Sequence, residues 1–525
     1  MHTLNHSILI RADKESVFSV LKDFARYPAL MHYVKSVEIK FNSANEVISE
    51  WDLDVEGADI NWLERDVIDP RNLEIAFTMI SGDYGAYYGK WKVYPSGERT
   101  ELSVQLFVDW DIPSFEKVIG PILEQKMKRV IRGMLAAIKL HCQRQATHGT
   151  AVLAENRPKK QVTAESPNFA FVIHPLDVGL VSIAFGEPNL MSKKLSLIKK
   201  AFEWLPSFQC SDVTGVCSKE GTQLRGSLLY CALLPDQILS LDDRFVMERV
   251  ISAGRIAQKR GAKILGLGAY AAQIGKKGVA IGRALEIPVT TGTHYTIYIA
   301  IQSVLSAAER IGLKIDHCHV TVIGATGAIG RVCSYFFADR VARLTLVARN
   351  ALRLQNFVRE LKHSSKAEIG IETDVKTAIN ESDIAIMATT TPLPLVDISE
   401  LRPGLVVCDI SRPRNISNFA RRFRDDVLVV DGGIVQPPGE DVDFNFYFGL
   451  PKGLSYACMA ETMILALERK YESYSLGGEV SLEKVKEIGS LGDKHGFKLA
   501  KIISFDQEVP DEVIANLSKV NKVFL

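Results

Sequence analysis

Two rhythms divide the chain. In the first 110 residues, after a strand-like apolar stretch at 7–10, apolar and polar positions alternate in runs at 35–41, 45–53, 60–67, 73–79, 85–93 and 100–108. A period of two is that of a half-buried strand, so these runs predict antiparallel strands. A helical spacing interrupts them at 14–24, where Val17, Phe18, Val20 and Leu21 share a face. The region closes on one apolar stripe, Ile119, Ile122, Leu123, Met127, Val130, Ile131, Met134, Leu135 and Ile138, which predicts a single long helix over 114–143. A curved sheet wrapped on one long helix leaves an apolar interior. Trp51, Trp62, Tyr84, Tyr87, Tyr88 and Trp91 are candidates to line it; the other reading of each is ordinary core or sheet face.

Residues 143–168 are small and polar, without a period, and predict a linker. Beyond them the apolar runs become short and continuous, at 169–173, 228–234, 263–268, 319–323, 344–347, 383–387, 405–408 and 427–430. Helical spacings at 245–260, 295–311 and 352–363 fall between them. Strands alternating with helices in this way predict a doubly wound, mostly parallel sheet. The expected fold class is therefore an α+β first domain followed by an α/β, Rossmann-type region. The expected division is a domain at 1–145, a linker at 146–168, an α/β substrate or acyl domain at 169–315, a nucleotide-binding domain at 316–435 and a C-terminal helical segment at 436–525.

Composition narrows the function classes. A net charge of +1 offers no basic excess for nucleic acid or an anionic membrane. No apolar run approaches the length of a membrane span, and the start of the chain lacks the pattern of a signal peptide. The eight cysteines are scattered without a CxxC pair, which argues against a zinc site and a disulfide framework and for a reducing cytoplasm.

The chemistry gathers in the second half. Gly324-Ala325-Thr326-Gly327-Ala328-Ile329-Gly330 follows the strand candidate 319–323 and opens a helical run. In that context the first glycine permits a tight turn, the second lets the backbone approach a pyrophosphate, and the third lets helix and strand pack closely. The helix N-terminus offers free N–H groups to phosphate. The second strand of the unit ends in Val347-Ala-Arg349-Asn350, with no acid for a ribose hydroxyl. Arg349 there suits a 2′-phosphate and points to NADPH, the bland reading being a solvated strand-end arginine. Thr389, after the strand at 383–387, is placed beside the nicotinamide by the rule that ligands sit at the carboxyl ends of such strands.

Pro451 and Gly453 mark a turn before a helix, with Ser455 as the expected N-cap. Cys458 then falls in the first helical turn, where the dipole stabilises a thiolate. Its apolar neighbours Tyr456, Met459 and Met463 equally suit an inert buried thiol. His294 is a candidate acid or substrate ligand, or a structural histidine. His317 and His319 flank Cys318, but alternate strand residues point to opposite faces, which argues against a metal.

Two resemblances rest on these segments. Residues 15–28, with the Asp23-Phe24-Ala-Arg-Tyr27-Pro28 pattern, 33–38 and the final long helix resemble the START-like, polyketide cyclase or coenzyme-Q-binding type. That likeness implies a helix-grip fold around a lipid pocket, and a lipid as partner. Residues 169–525 resemble the long-chain acyl-[acyl-carrier-protein] reductase family, through 290–298, 322–330, 347–350, Asp431-Gly-Gly433, 456–463 and His495-Gly-Phe497. The resemblance implies that Cys458 carries the acyl group as a thioester, that NADPH is the reductant, and that the substrate is a thioester of acyl carrier protein or CoA. The sequence departs from the family at Thr293-His294-Tyr-Thr-Ile-Tyr298 and at Asp409-Ile-Ser-Arg-Pro413, and the N-terminal domain is an addition.

The expected activity is reduction of a long-chain acyl thioester to a fatty aldehyde through an acyl-enzyme on Cys458. Two other readings stay open: an NADP-dependent dehydrogenase of the shikimate or glutamyl-tRNA reductase type with a structural Cys458, and a lipid-binding or transfer protein whose reductase half is not catalytic.

Overall fold

The alternating runs form one seven-stranded antiparallel sheet in a computed structural model that describes residues 2–31, 33–55, 58–111, 113–144, 168–363, 365–418 and 424–524. Its strands are β1 (His2–Ile10), β2 (Val34–Asn42), β3 (Glu46–Val55), β4 (Ala58–Asp69), β5 (Glu74–Gly82), β6 (Ala86–Ser96) and β7 (Arg99–Asp109), in the order β1-β7-β6-β5-β4-β3-β2. The first helix, Lys14–Lys22, starts where the Asp13 carboxylate accepts the Ser16 N–H at 2.8 Å, an N-cap that satisfies an otherwise orphaned donor. The long helix Pro113–Arg144 packs against β1 and completes a helix-grip fold.

Trp51 and Trp62 face one another across β3 and β4 and stack at 5.6 Å, with Tyr84 and Tyr87 continuing the cluster. Tyr88 departs from the expectation. It lies on the opposite face of β6 from Tyr87, is 37% exposed and packs on Phe107, because adjacent strand residues point to opposite sides.

The described residues form two compact units. Residues 181–205, which the sequence pattern placed in the second domain, pack on the first unit. Leu190, Ile198, Phe202 and Leu205 close over Trp110 and Leu123 around an apolar cavity of about 60 Å³. Lys194 donates to Asn61 Oδ1 at 2.6 Å and Asp83 Oδ2 at 3.0 Å. Of the expected linker, residues 145–167 lie outside the described residues, and Gln143 and Arg144 end the long helix.

The second unit comprises residues 164–180 and 206–525 and holds two principal sheets. One contains β8 (Phe169–Ile173), β9 (Phe208–Cys217), β10 (Gln223–Tyr230), β11 (Leu265–Leu267) and β12 (Val289–Thr290), ordered β12-β11-β8-β10-β9. Its edge strand β9 is antiparallel, and the run expected at 228–234 sits earlier, in β10. The other sheet contains β13 (His319–Ile323), β14 (Arg343–Val347), β15 (Glu368–Glu372) and β16 (Ile384–Met387). After the short β17 (Val396–Asp397), β18 (Val406–Asp409), β19 (Ile416–Ser417) and β20 (Leu428–Asp431) follow, with β17 and β19 paired apart.

The order β15-β14-β13-β16-β18-β20, parallel throughout, is the 3-2-1-4-5-6 order of a dinucleotide fold. These strands are almost continuously apolar because helices cover both faces. The topological switch lies between β13 and β16, so the crevice for a ligand opens at their carboxyl ends.

Candidate active site

The glycine loop occupies that crevice. Gly324 follows β13 at φ 82°, in the left-handed region, and a Cβ there would overlap the Ala388 carbonyl. A Cβ on Gly330 would overlap the Gly324 carbonyl, so strand and helix Ala328–Ala338 meet only because both side chains are absent. Gly327 has more room, 3.2 Å from a built Cβ to Gly324 O, and is exposed at the helix N-cap. Ala325 is buried beneath the loop, while Thr326, Ala328 and Ile329 are half-buried around it. This cradle and the free helix N-terminus fit a pyrophosphate. Arg349 stands exposed just beyond β14. Thr389 lies two residues past β16, its hydroxyl donating to Asn415 Oδ1 and its N–H bonded to Ser411 Oγ at 3.2 Å.

Cys458 sits over the same edge. Its helix, Ala457–Leu467, is N-capped by Tyr456, which corrects the expectation for Ser455: that residue is drawn into β22 (Ser455–Tyr456) by pairing with Val435 of β21 (Ile434–Gln436). Ala457 N–H bonds the Gly433 carbonyl at 2.8 Å, just past the end of β20. The loop leaving β11 reaches over from the other sheet. Ala269 there adopts φ 44°, a strained conformation costing about 1–3 kcal/mol for a non-glycine residue, and its N–H is directed at the Cys458 sulfur. The adjacent Tyr270 hydroxyl donates to Thr390 O at 2.8 Å, and Thr390 neighbours the residues that crowd Gly324. One hydrogen bond thus ties the cysteine's pocket to the glycine loop.

Burial pushes the Cys458 thiol up to about 12; the Met459 N–H pulls against this, Glu461 adds to it, and the N–H groups of Cys458 and Ala269 pull the other way. The resting group is a thiol whose thiolate has waiting donors. Its alkylation by iodoacetamide should rise about tenfold per pH unit from pH 7 to 10 without levelling, because thiolate grows with pH below a raised pKa, whereas an ordinary thiol levels near 8.5. Peptide mapping measures this, and a plateau below pH 8 would contradict it.

His294 lies in the first turn of the helix Thr293–Arg310 and is fully buried. Ser475 donates its hydroxyl proton to Glu461 Oε1 at 2.7 Å, so His294 Nδ1 donates to Ser475 Oγ at 2.5 Å and Nε2 stays a bare acceptor. Burial lowers its pKa to about 4, with Lys484 adding to the shift. The histidine is therefore neutral, and it reaches the cysteine's helix through Ser475 and Glu461. Glu461 also accepts from the Thr290 hydroxyl and from the Tyr295 N–H at 2.9 Å. His319 is bonded to Glu381 O and Thr345 Oγ1, and among the described residues no cluster fit for a metal occurs.

Sequence reasoning missed Glu461, although a lone acid in ACMAETMILAL is a legible sign of a buried acceptor. It missed His174 after β8, whose Nε2 accepts the Tyr270 N–H at 3.0 Å and whose burial lowers its pKa to about 4. It also missed Arg412, whose guanidinium lies 5.5 Å from the Tyr456 ring and 3.3 Å from Asp431, with Nε unbonded.

Comparison with known proteins divides along the same lines. Residues 10–139 match the family of polyketide cyclase / dehydrase and lipid transport, and residues 306–431 match shikimate / quinate 5-dehydrogenase. The chain is 26% identical over 366 residues to the aminotransferase PigE of a Serratia species, covering 67% of this chain and 42% of that protein. It therefore spans less than half the length of that relative. It is 28% identical over 305 residues to the long-chain acyl-[acyl-carrier-protein] reductase of Synechococcus elongatus, covering 55% of this chain and 87% of that protein. A solved START superfamily protein from Mycobacterium smegmatis is 18% identical, covering 28% of this chain and 100% of its own, at a TM-score of 0.25.

Proposed function

We propose that the second unit reduces an acyl thioester, carried by acyl carrier protein or coenzyme A, to an aldehyde at the expense of NADPH. The observation that carries the reading is Cys458 at a helix N-terminus over the carboxyl edge of the dinucleotide sheet, tied to the glycine loop through Tyr270 and Thr390. The Synechococcus relative supports a long-chain acyl substrate.

In the first step the Cys458 sulfur bonds to the acyl carbon, the carrier C–S bond breaks, and the thiol proton leaves on the carrier thiol. Ala269 and Met459 N–H groups hold the sulfur as it gains charge. The glycine loop and Arg349 would hold NADPH, which supplies the hydride that converts the acyl group to the aldehyde oxidation level. A proton from water completes the Cys458 thiohemiacetal, and its collapse moves the hydroxyl proton to sulfur, returns the thiol and releases aldehyde. Splitting one difficult reduction into two steps is what a covalent nucleophile offers. His294, neutral and bonded to Ser475, positions the cysteine's helix through Glu461.

The eight cysteines are all free, which fits a reducing, cytoplasmic setting. Among the described residues no helix is long and apolar enough to cross a membrane. For the first unit we infer a binder of apolar cargo, on the strength of its aromatic helix-grip interior.

The test follows NADPH absorbance and traps aldehyde over a panel of acyl-carrier-protein and CoA thioesters. Long acyl chains should be reduced with NADPH well ahead of NADH, and Arg349→Glu should weaken NADPH by about 10–100-fold while sparing NADH, the worth of a lost charge-assisted contact. No NADPH loss with any thioester would sink the reading.

A further inference from the structure

Among the described residues of its sheet, only the inner face of β4 buries acids. Ile60, Trp62, Glu64, Asp66 and Ile68 point inward while Leu63, Arg65 and Val67 point outward. Two acids are thus buried, 5% and 1% exposed, and an apolar valine is 45% exposed on the other side. Trp62 Nε1 donates to Glu64 at 2.9 Å, and Ser49 on β3 touches Asp66. Among the described residues no lysine, arginine or histidine pairs with either carboxyl. Burial pushes Glu64 up to about 7 and Asp66 well above the usual carboxylate range, Glu64 adding to the second shift. Such a pair costs several kcal/mol of desolvation without serving the packing.

Independent observations say what the cost is for. Tyr84 and Trp110 are 3% and 7% exposed, yet the Tyr84 hydroxyl and Trp110 Nε1 have no partner, and neither has Asp66 Oδ2. Tyr84 meets Trp62 at 5.7 Å, Tyr87 at 4.9 Å and Trp110 at 5.0 Å, and its hydroxyl feels the Glu64 charge. Trp110 in turn borders the apolar cavity under residues 190–205. Trp110 thus joins the small apolar cavity to a run of aromatic rings, Tyr84, Tyr87 and Trp62, and Trp62 in turn is bonded to the first of the two carboxyls.

We propose that the helix-grip unit is a receptor for an amine: an apolar molecule with one protonated nitrogen, its head held by Glu64 and Asp66 between the faces of Trp62, Tyr84 and Tyr87. The inference rests on this unit binding cargo and is independent of the reductase reading. An ammonium gains from aromatic faces and from a carboxylate at once. A fatty alcohol leaves the pair uncompensated, and a fatty acid brings a third acid to it. The arrangement therefore selects among apolar molecules by the charge of the head, in the order amine, alcohol, acid.

Dodecylamine, dodecanol and dodecanoate are titrated into the full chain at neutral pH, with quenching of tryptophan fluorescence as the readout. Dodecylamine should bind at least about tenfold more tightly than dodecanol, and dodecanoate most weakly. In the double variant Glu64→Gln/Asp66→Asn the preference should fall to within about threefold while dodecanol binding persists. Circular dichroism of the same samples verifies folding, and Glu64→Gln alone is read if the double variant does not fold. Equal or tighter binding of dodecanol or dodecanoate, an amine preference that survives the substitutions, or no binding of any probe overturns the proposal. None of these outcomes involves NADPH, so failure here is separable from failure of the reductase reading.

Discussion

Cys458→Ala removes thioester reduction, with turnover expected to fall by about a thousandfold or more, as when a covalent nucleophile is deleted. The loss is chemical and not structural. The side chain is half-buried, between the N–H groups of Met459 and Ala269, and alanine leaves the backbone of the helix Ala457–Leu467 undisturbed. NADPH affinity should stay within about twofold, because the glycine loop is tied to this region through Tyr270 and not through the sulfur. Intact mass after mixing with a thioester but no NADPH supplies the second arm. The parent protein gains one acyl mass that maps to Cys458, and Cys458→Ala gains none. A variant that still reduces thioesters at the parental rate would show that the cysteine is packing only, the reading its apolar neighbours Met459 and Met463 also allowed.

Much of this site was legible before any coordinates, and the misses have physical causes. The glycine loop was readable because its three glycines fall between a strand and a helix, and two of them, Gly324 and Gly330, leave no room for a side chain. Cys458 in a first turn was readable from the turn residues upstream. Ser455 misled because propensity favours serine at an N-cap, while a two-residue ladder with β21 outweighed it locally. Residues 181–205 carry a proper helical face, Ile198 and Phe202 among them, but periodicity tells which side is buried and not what buries it. Glu461, Gly292 and Ala269 come together from separate segments, a convergence that local pattern does not encode. Glu64 and Asp66 were passed over, because 60–67 reads as an ordinary alternating run until burial shows the two acids on its inner face, and such local breaks in consistency mark functional places.

Gly292 is the most exacting of these convergences, and Gly292→Ala should disable the site without touching the cofactor. The residue caps the helix Thr293–Arg310 at φ 71°, and a Cβ there would overlap Cα and Cβ of Cys458. The left-handed backbone costs an alanine about 1–2 kcal/mol, and forcing the two segments apart adds about 1–3 kcal/mol. Because Cys458 must move, turnover should fall by about a hundredfold, the effect of misplacing a reacting group by about 1 Å. NADPH binding should hold, since Gly324, Gly327 and Gly330 lie on another loop. Gly312→Ala separates strain from displacement. That glycine also caps a turn at positive φ, 77°, but its Cβ would meet nothing nearer than Ser518 Oγ at 3.7 Å. It should lower the melting temperature and leave turnover near the parental value. If both variants lose activity alike, general destabilisation explains the loss; if only Gly292→Ala does, the position of the Cys458 sulfur is what the reaction depends on.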